Sequence, residues 1–485
     1  MKKDVFGSLY NKEFKCQMLK ILIWGTGVYA QKYMLGYHKQ MQYFSEIQGF
    51  IDNDKKKQRA PFYGYSVIPY NQSIQYEYDY IVIMNSHEKK IRKQILKDTG
   101  SDEKVLSLNE FFGLFIETGY WNNTRVLFLG DRMQYDLVKY QARYTFLEIN
   151  YSEDIDDIEE YRFDVVFICS PRLLSKEAIE NYESSIRERI YSAVHIKREA
   201  VFGVGEWKNY FICDRKIKGG DINSDNTFLI IGALDPILGL GNIVESVLGS
   251  ITYAKNHGMI PVVDMQNTEN QYLEEELLGK HNAWEDFFEP VSEYRLEDVY
   301  HSKNIVLTGT VGHIECDMNY KDIALNAYVK NYIDNVYVSL FPKTGKVLGV
   351  IYRGTDYNMA FGHTSPMPID AYIKYIEDYL EKIGYEYIFL ATEVEEATVE
   401  FKNYFAEKVF FTNQKRYSKH ERRWLYSIHF ERENDTYLKG LEYLTVLELL
   451  SRCDSLIGTN TGGLRAAIVM NGNNYENTEI ISQTI

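Results

Sequence analysis

The sequence predicts an α/β protein built from several parallel-sheet modules. Three stretches support this, because each joins a run rich in Val, Ile and Leu to a glycine-containing turn: 20–30, 124–131 and 227–258. A fourth apolar run, 347–351, leads directly into Arg353. Near-continuous apolar runs of this kind are typical of parallel strands that are covered on both faces. A chain of 485 residues is expected to form two to four domains.

Composition limits the partners of the chain. The net charge is −15 and the pI is about 5.3, which argues against nucleic acid and anionic membrane as main partners. The five cysteines are widely spaced and form no CxxC pair, as expected for reduced thiols of a cytoplasmic protein. No signal peptide is predicted, because no apolar stretch follows Met1-Lys-Lys-Asp. No integral membrane segment is predicted, because no apolar run approaches about 18 residues. The expected location is the cytoplasm, and the alternative is a protein associated with the inner face of the membrane.

A Rossmann-like module is predicted at residues 1–118. The strand at 20–24 runs into Gly25-Thr-Gly27-Val-Tyr-Ala30 and a helix, and a second strand ends at Asp52. Asp52 follows the glycines by about 25 residues, close to the spacing of a ribose-binding acid. Nucleotide binding is one interpretation, and simple helix–strand packing is the other. The segment also resembles the small N-terminal module found on bacterial sugar-modifying acyltransferases and polysaccharide enzymes.

A second, smaller α/β module is predicted at residues 119–222. A strand with a glycine turn at 124–131, a strand at 163–169 and a helix at 176–189 form its visible parts. Because the order of these elements is similar to that of the first module, the second module is interpreted as a diverged repeat of the first. It offers no recognisable chemistry, and residues 219–226 are interpreted as a linker.

Anion-binding residues follow two apolar runs in the C-terminal half. Arg353 offers a fork of donors suited to a pair of phosphates, Gly354 allows a tight turn, and Asp356 could orient the arginine. A second run, beginning after Asp454, leads into a loop at a helix N-terminus. Hydroxyls and bare N–H groups at such a position bind anions. The loop residues that share this property are Thr459, Asn460, Thr461 and Gly462.

These landmarks resemble the donor-binding half of the fucosyltransferase superfamily, which includes the α-1,2, α-1,6, nodulation and protein O-fucosyltransferases. Arg353-Gly-Thr-Asp-Tyr357, then Ala391-Thr-Glu393, then 453–458 with its Thr/Asn/Gly loop occur in the family's order. Residues 239–242 (GLGN) and 282–289 are similar to segments of the family's other lobe. The resemblance covers about residues 225–480. Ile351 and Ile243 stand where relatives often carry histidine and glutamine.

The resemblance implies a GT-B fold of two Rossmann-like lobes, with an acceptor-side lobe at 223–340 and a donor-binding lobe at 341–485. It further implies transfer of fucose or a related deoxyhexose from a GDP-sugar to a glycan hydroxyl, in cell-surface polysaccharide synthesis. We expect the enzyme to be metal-independent, because no DxD motif follows a strand in 225–485. The resemblance further leads us to expect an inverting enzyme without a dissociable cofactor. Trp284 is interpreted as a core residue.

The site residues follow from the motifs and the resemblance together. Arg353, Asp356 and His363 are the catalytic candidates, with His363 as the base because histidine titrates near neutral pH. His313 and Asp286 are alternative bases. The predicted donor-binding residues are Gly241, Asn242, Arg353, Thr392, Glu393, Asp454, Thr459, Asn460, Thr461 and Gly462.

Two other functions remain open at this point. Ile351 and Ile243 would also suit a non-catalytic sugar-nucleotide-binding or scaffold protein of a polysaccharide locus. A dehydrogenase or epimerase using NAD in the first module is disfavoured, because no Tyr-x-x-x-Lys pair stands at a suitable spacing. Self-association into a homo-oligomer is compatible with every alternative.

Overall fold

Four β-sheets organise the chain in the computed structural model. The structure describes residues 19–85, 87–117, 121–142, 145–171, 174–207, 214–232, 237–309, 317–355, 367–421 and 423–481. Every strand pair in three of the sheets is parallel within these ranges, and the fourth sheet has one antiparallel edge strand. The predicted α/β class is therefore confirmed.

Sheet 1 has the strand order β3-β2-β1-β4-β5. Its strands are β1 (Leu19–Trp24), β2 (Ser45–Ile51), β3 (Val67–Ile68), β4 (Tyr80–Ile83) and β5 (Val105–Ser107). Its helices are α1 (Val28–Phe44), α2 (Glu88–Thr99) and α3 (Leu108–Glu117). This order matches the first five strands of the Rossmann order 3-2-1-4-5-6.

Sheet 2 repeats this topology without the outer edge strand, in the order β7-β6-β8-β9. Its strands are β6 (Arg125–Gly130), β7 (Glu148–Ser152), β8 (Val165–Cys169) and β9 (Val201–Gly203), and its helices are α4 (Arg132–Ala142) and α5 (Lys176–Ala193). Gly25 and Gly130 have φ of 131° and 116°, and a methyl group on either would press against a carbonyl of the next strand. The turns that follow β1 and β6 therefore have the same backbone conformation, which glycine adopts readily and other residues do not.

One hydrophobic core joins sheets 1 and 2. Phe50 and Phe112 from the first unit and Phe128 and Phe167 from the second are all fully buried in the same cluster. Large aromatic side chains at a shared core fix two units firmly, because each buries a large apolar area. The N-terminal modules therefore pack as a pair.

Sheet 3 has the order β10-β13-β11-β12, with β10 antiparallel. Its strands are β10 (Arg215–Ile217), β11 (Ile222–Ile231), β12 (Ile260–Val263) and β13 (Ser302–Leu307), and its helices are α6 (Leu240–Asn256), α7 (Leu296–Tyr300) and α8 (Ala327–Leu340). Two expectations are corrected here. β10 belongs to this sheet rather than to the module predicted at 119–222, and β11 occupies most of the predicted linker. Polar residues in both segments interrupt the apolar pattern from which strands are predicted.

Sheet 4 has the order β16-β15-β14-β17-β18 and is parallel throughout its described strands. The strands are β14 (Val347–Tyr352), β15 (Tyr387–Thr392), β16 (Val409–Phe410), β17 (Ser455–Thr459) and β18 (Thr478–Ile481). The helices are α9 (Ile369–Ile383), α10 (Glu395–Phe405), α11 (Asp435–Ser451) and α12 (Gly462–Asn471).

The lobes around sheets 3 and 4 share a second continuous core, in which α6 packs against α12 and α11. Two Rossmann-like lobes joined in this way are the arrangement that the GT-B prediction requires. Trp284 is buried, stacks on Phe288 with ring centroids 4.2 Å apart, and donates its indole N–H to the Glu289 carbonyl at 3.1 Å. Its interpretation as a core residue is confirmed.

Ile351 and Ile243, the departures from the resembling family, are also core residues, with 6% and 1% of their surface exposed. Both belong to the core shared by the two lobes. A polar side chain would need a buried partner at either place. The isoleucines therefore strengthen the packing beneath the site.

Two general properties complete the description. None of the helices within the described ranges has the length and apolar composition needed to cross a bilayer. Cys169 and Cys453 are free and buried, and burial raises the pKa of both thiols well above the ordinary range. The other three cysteines lie outside the described residues.

Candidate functional site

Three neighbouring strands of sheet 4 bring the predicted motifs to one edge. Tyr352 of β14 pairs with Thr392 of β15, and Ile351 pairs with Gly458 of β17. Because the strands are parallel, the residues that follow them emerge together at the carboxyl edge, where α/β proteins bind ligands. The residues gathered there are Arg353, Glu393 and Asn460 with their neighbours.

Glu393 supports the turn that carries Arg353. Its Oε1 accepts hydrogen bonds from the Gly354 N–H at 2.8 Å, the Thr355 N–H at 3.3 Å and the Thr355 hydroxyl at 2.9 Å. The same oxygen lies 3.6 Å from Arg353 Nε, and 29% of the arginine side chain is exposed. This carboxylate therefore holds the turn and faces the guanidinium. The orienting role expected of Asp356 stays a prediction.

Thr392 is a buried part of the same edge. Its Oγ1 accepts from the Val394 N–H at 3.1 Å, and its carbonyl accepts from Arg416 Nε at 3.3 Å. Arg416 also donates to the Thr412 carbonyl at 2.7 Å, and burial lowers the pKa of its guanidinium. Arg416 thus organises the segment after β16. A ligand contact by Thr392 stays a prediction.

The loop after β17 forms the N-terminus of α12. Thr461 caps the helix, since its Oγ1 accepts from the Leu464 N–H at 3.2 Å. Asn460 Oδ1 accepts from Arg465 Nη1 at 3.3 Å. These contacts fix the loop, so that the positive end of the helix dipole points to the same edge as Arg353.

Gly241 and Asn242 meet this loop from the other lobe. A methyl group at Gly462 would overlap the side-chain amide of Asn242, and one at Gly241 would lie 3.1 Å from the Gly462 carbonyl. Arg465 Nη2 donates to Asn242 Oδ1 at 3.1 Å. The structure thus brings together two motifs that lie about 220 residues apart in the chain.

An ion pair between Arg465 and Glu245 joins the lobes next to this contact. Arg465 Nε and Nη2 donate to the Glu245 carboxylate at 2.9 and 3.0 Å. Only 8% of Glu245 is exposed, and this burial raises the pKa of its carboxyl group although Arg465 opposes the shift. Sequence reasoning missed both residues. The available signal was their position one turn into the two glycine-led helices.

Two tyrosines, the buried Tyr272 and the partly buried Tyr443, complete the interface between the lobes. The Leu240 N–H at the start of α6 donates to the Tyr272 hydroxyl at 2.7 Å. Tyr443 of α11 lies beside Gly463, where a methyl group would come within 2.9 Å of its hydroxyl. Burial raises the pKa of both phenols, and the nearby charge of Arg353 opposes that rise. Both hydroxyls are therefore protonated neighbours of Arg353.

Asp454 lies at the amino ends of the strands of sheet 4, opposite the end that carries Arg353. Its Oδ2 accepts from the Val347 N–H at 2.8 Å, and its own N–H donates to the Val347 carbonyl at 3.0 Å. Val347 and Ser455 begin β14 and β17, so the length of a strand, roughly 15 Å, separates Asp454 from the ligand edge. Its assignment to the donor-binding residues is corrected, because Asp454 joins the amino ends of two strands.

The catalytic candidates Asp356 and His363 lie outside the described residues, as does His313. Asp286 Oδ1 lies 2.8 Å from His281 Nε2. Among the described residues no group of His, Cys, Asp and Glu is arranged to hold a metal ion.

The glycine turn of sheet 1 is the second candidate. Asp52 Oδ2 accepts from the Thr26 hydroxyl at 2.6 Å and lies 3.1 Å from Lys57 Nζ. Burial acts against the charge of Asp52, but the hydrogen bonds from Thr26, Asp54 and Lys57 leave its pKa lowered. The Asp52 carboxylate is thus ionised and stabilises the glycine turn after β1. Nucleotide binding at this turn stays a prediction.

Comparisons with known proteins give distant similarities. Residues 17–106 match a sequence family described as C2185-like, N-terminal. No curated protein sequence matches the chain. The fucosyltransferase NodZ from Bradyrhizobium is structurally similar, with 15% identity, coverage of 50% of this chain and 93% of NodZ, and a TM-score of 0.36. POFUT1 in complex with GDP is similar with 10% identity, coverage of 53% and 99%, and a TM-score of 0.33.

We expect Gly462→Ala to destabilise the interface between the lobes, because its methyl group would overlap the Asn242 amide. Overpacking of this kind costs about 1–3 kcal/mol in the free energy of unfolding. Asn242→Ala removes the obstacle and should recover part of the loss in the double variant. The control is Gly205→Ala, since a methyl group at Gly205 meets nothing within 4 Å. Urea unfolding of the four variants measures the coupling, and simply additive losses would contradict the contact.

Proposed function

We propose that the chain is an inverting, metal-independent glycosyltransferase. It would transfer fucose or a related deoxyhexose from a GDP-sugar to a glycan hydroxyl, in the synthesis of a cell-surface polysaccharide. The observation that carries the proposal is the meeting of Arg353, the α12 N-terminus and the α6 N-terminus at one edge between two Rossmann-like lobes. A nucleoside diphosphate needs such a concentration of donors and positive charge.

The chemical step assigns a role to each group. The acceptor oxygen attacks the anomeric carbon from the face opposite the diphosphate, and the bond from that carbon to the β-phosphate oxygen breaks. The electron pair leaves with the diphosphate, whose growing charge Arg353 and the N–H groups at 459–462 would stabilise. The acceptor proton passes to a base, for which His363 is our candidate. Inversion follows from the single displacement.

Several residues contribute to the proposed reaction indirectly, by positioning other residues. Glu393 holds the turn that carries Arg353, and the Arg465–Glu245 pair holds the two glycine-led helices at their contact. Preorganised donors cost no rearrangement when the charge develops, and this is the main advantage of such bracing.

The test is GDP release from GDP-fucose by the purified full chain, with a panel of glycan acceptors. We expect release with GDP-fucose and much less with UDP-glucose, and no loss of rate when EDTA is added. Failure to bind any GDP-sugar, or a strict requirement for a divalent ion, would falsify the proposal. Binding of the donor without turnover on any acceptor would instead support the non-catalytic scaffold suggested by Ile351 and Ile243.

A further inference from the structure

A group of tyrosines is exposed on the surface between α8 and α11. Tyr328 and Tyr332 lie on α8, with 67% and 38% of their surface exposed. Residues four apart lie on one face of a helix. Tyr437 is half-buried and lies on α11, the helix that packs against α8. We call these three residues the tyrosine patch.

The loop at 281–288 brings the members of the patch together. The Asn326 N–H, at the start of α8, donates to the Phe287 carbonyl at 3.1 Å, and the Asn326 side chain donates to the Asp286 carbonyl at 2.9 Å. Phe287 in turn stacks on Tyr437 with ring centroids 5.6 Å apart and planes 12° apart. One loop therefore fixes the start of α8 against α11.

Polar groups border the patch. His281 Nε2 and Asp286 Oδ1 lie 2.8 Å apart, and 40% and 26% of the two side chains are exposed. Burial, followed by the nearby Tyr328, Asp286 and Tyr332, raises the pKa of Tyr437 to about 12. The phenol is therefore a hydrogen-bond donor at neutral pH. The surface thus combines aromatic faces with a carboxylate, an imidazole and hydroxyls.

We propose that the tyrosine patch, together with His281 and Asp286, binds a neutral oligosaccharide. A pyranose ring presents a C–H face that packs on an aromatic ring, and its hydroxyls bind carboxylates and imidazoles. The five side chains include one carboxylate and no lysine or arginine, so they favour a neutral ligand over an anionic one. A second copy of the chain is the other occupant to consider, but it would bury the His281–Asp286 pair at a cost in hydration.

The position of the patch connects it to the transferase site. Tyr437 and Tyr443 lie on one helix, six residues apart, which places them about 9 Å from each other along its axis. Tyr443 lies beside Gly463 at the loop predicted to bind the donor. The inference rests on the proposed function in one respect: the bound glycan is the acceptor chain, held outside the reacting centre.

The experiment applies the full chain to an array of neutral oligosaccharides of glucose, galactose, N-acetylglucosamine and N-acetylgalactosamine. We expect the parent protein to retain at least one glycan. The double variant Tyr328→Ala/Tyr332→Ala should bind it about 10- to 100-fold more weakly, the loss expected for two aromatic contacts. The matched control Tyr328→Phe/Tyr332→Phe keeps the rings and should retain most of the binding. GDP binding should be unchanged in both, since these exposed tyrosines lie outside the donor edge.

Three results would overturn the inference: no glycan retained by the parent, equal glycan binding by the alanine variant, or a dimer that the alanine variant dissolves. Sedimentation of the parent and the variant detects the last of these. The two proposals fail separately. Glycan binding that depends on the tyrosines, without any GDP-sugar binding, would leave the patch intact and reject the transferase.

Discussion

Replacing Arg353 by lysine is expected to lower turnover by about 10²–10³, the usual cost of losing one preorganised donor to a developing anion. Lysine keeps the positive charge but loses the planar fork that can bind two phosphate oxygens at once. Arg353→Ala should lower turnover further, because the charge is lost as well. Steady-state GDP release from GDP-fucose by both variants measures the effect.

The fold should survive both replacements. Arg353 follows the last residue of β14 and is partly exposed, so that the apolar core of sheet 4 does not depend on it. Unchanged thermal unfolding is therefore the required control. Near-parental turnover by a correctly folded Arg353→Lys variant would show that Arg353 does not clamp the diphosphate.

Glu393→Ala is expected to lower turnover by roughly 10- to 150-fold, which corresponds to the 1.5–3 kcal/mol typical of a hydrogen bond to a charged group. The substitution removes the acceptor used by Gly354 and Thr355 and the carboxylate that faces Arg353. The turn would then hold the guanidinium less firmly. Because Glu393 acts through Arg353, the loss should appear more in kcat than in the KM for the donor.

Two comparisons separate this role from a general structural one. Glu393→Gln keeps a carbonyl acceptor for the turn but removes the charge, so it should be milder than alanine and melt at the parental temperature. Asp356→Asn should be milder than Glu393→Ala if Glu393 orients the arginine. A larger loss for Asp356→Asn would return that role to Asp356.

The sequence was most informative where chemistry coincides with the end of a strand. Arg353 and Gly462 each follow a short apolar run, and a parallel sheet brings such ends to one edge whichever helices intervene. The same rule misassigned Asp454, which precedes its strand, and strand direction therefore puts it at the far edge. Whether a residue follows or precedes its strand, rather than whether it belongs to a motif, decided which residues lie at the candidate site.

The sequence did not show which residues of different helices lie next to each other. Nothing along the chain connects Arg465 with Glu245, or Tyr328 with Tyr437, since each pair belongs to helices brought together by the core between the lobes. The contact between the Glu393 carboxylate and the Gly354 N–H was hidden in the same way, because it joins turns that follow two different strands.

The sequence by itself determined the α/β class, the glycine turns and the strand-end residues of the candidate site, because these depend on local patterns of apolar and small residues. The tertiary structure alone decided that β10 joins sheet 3, that the N-terminal modules share one core and that two glycine-led helices meet at Gly462 and Asn242. These features depend on contacts between residues far apart in the chain, where the fit of side-chain volumes and hydrogen bonds selects the partner.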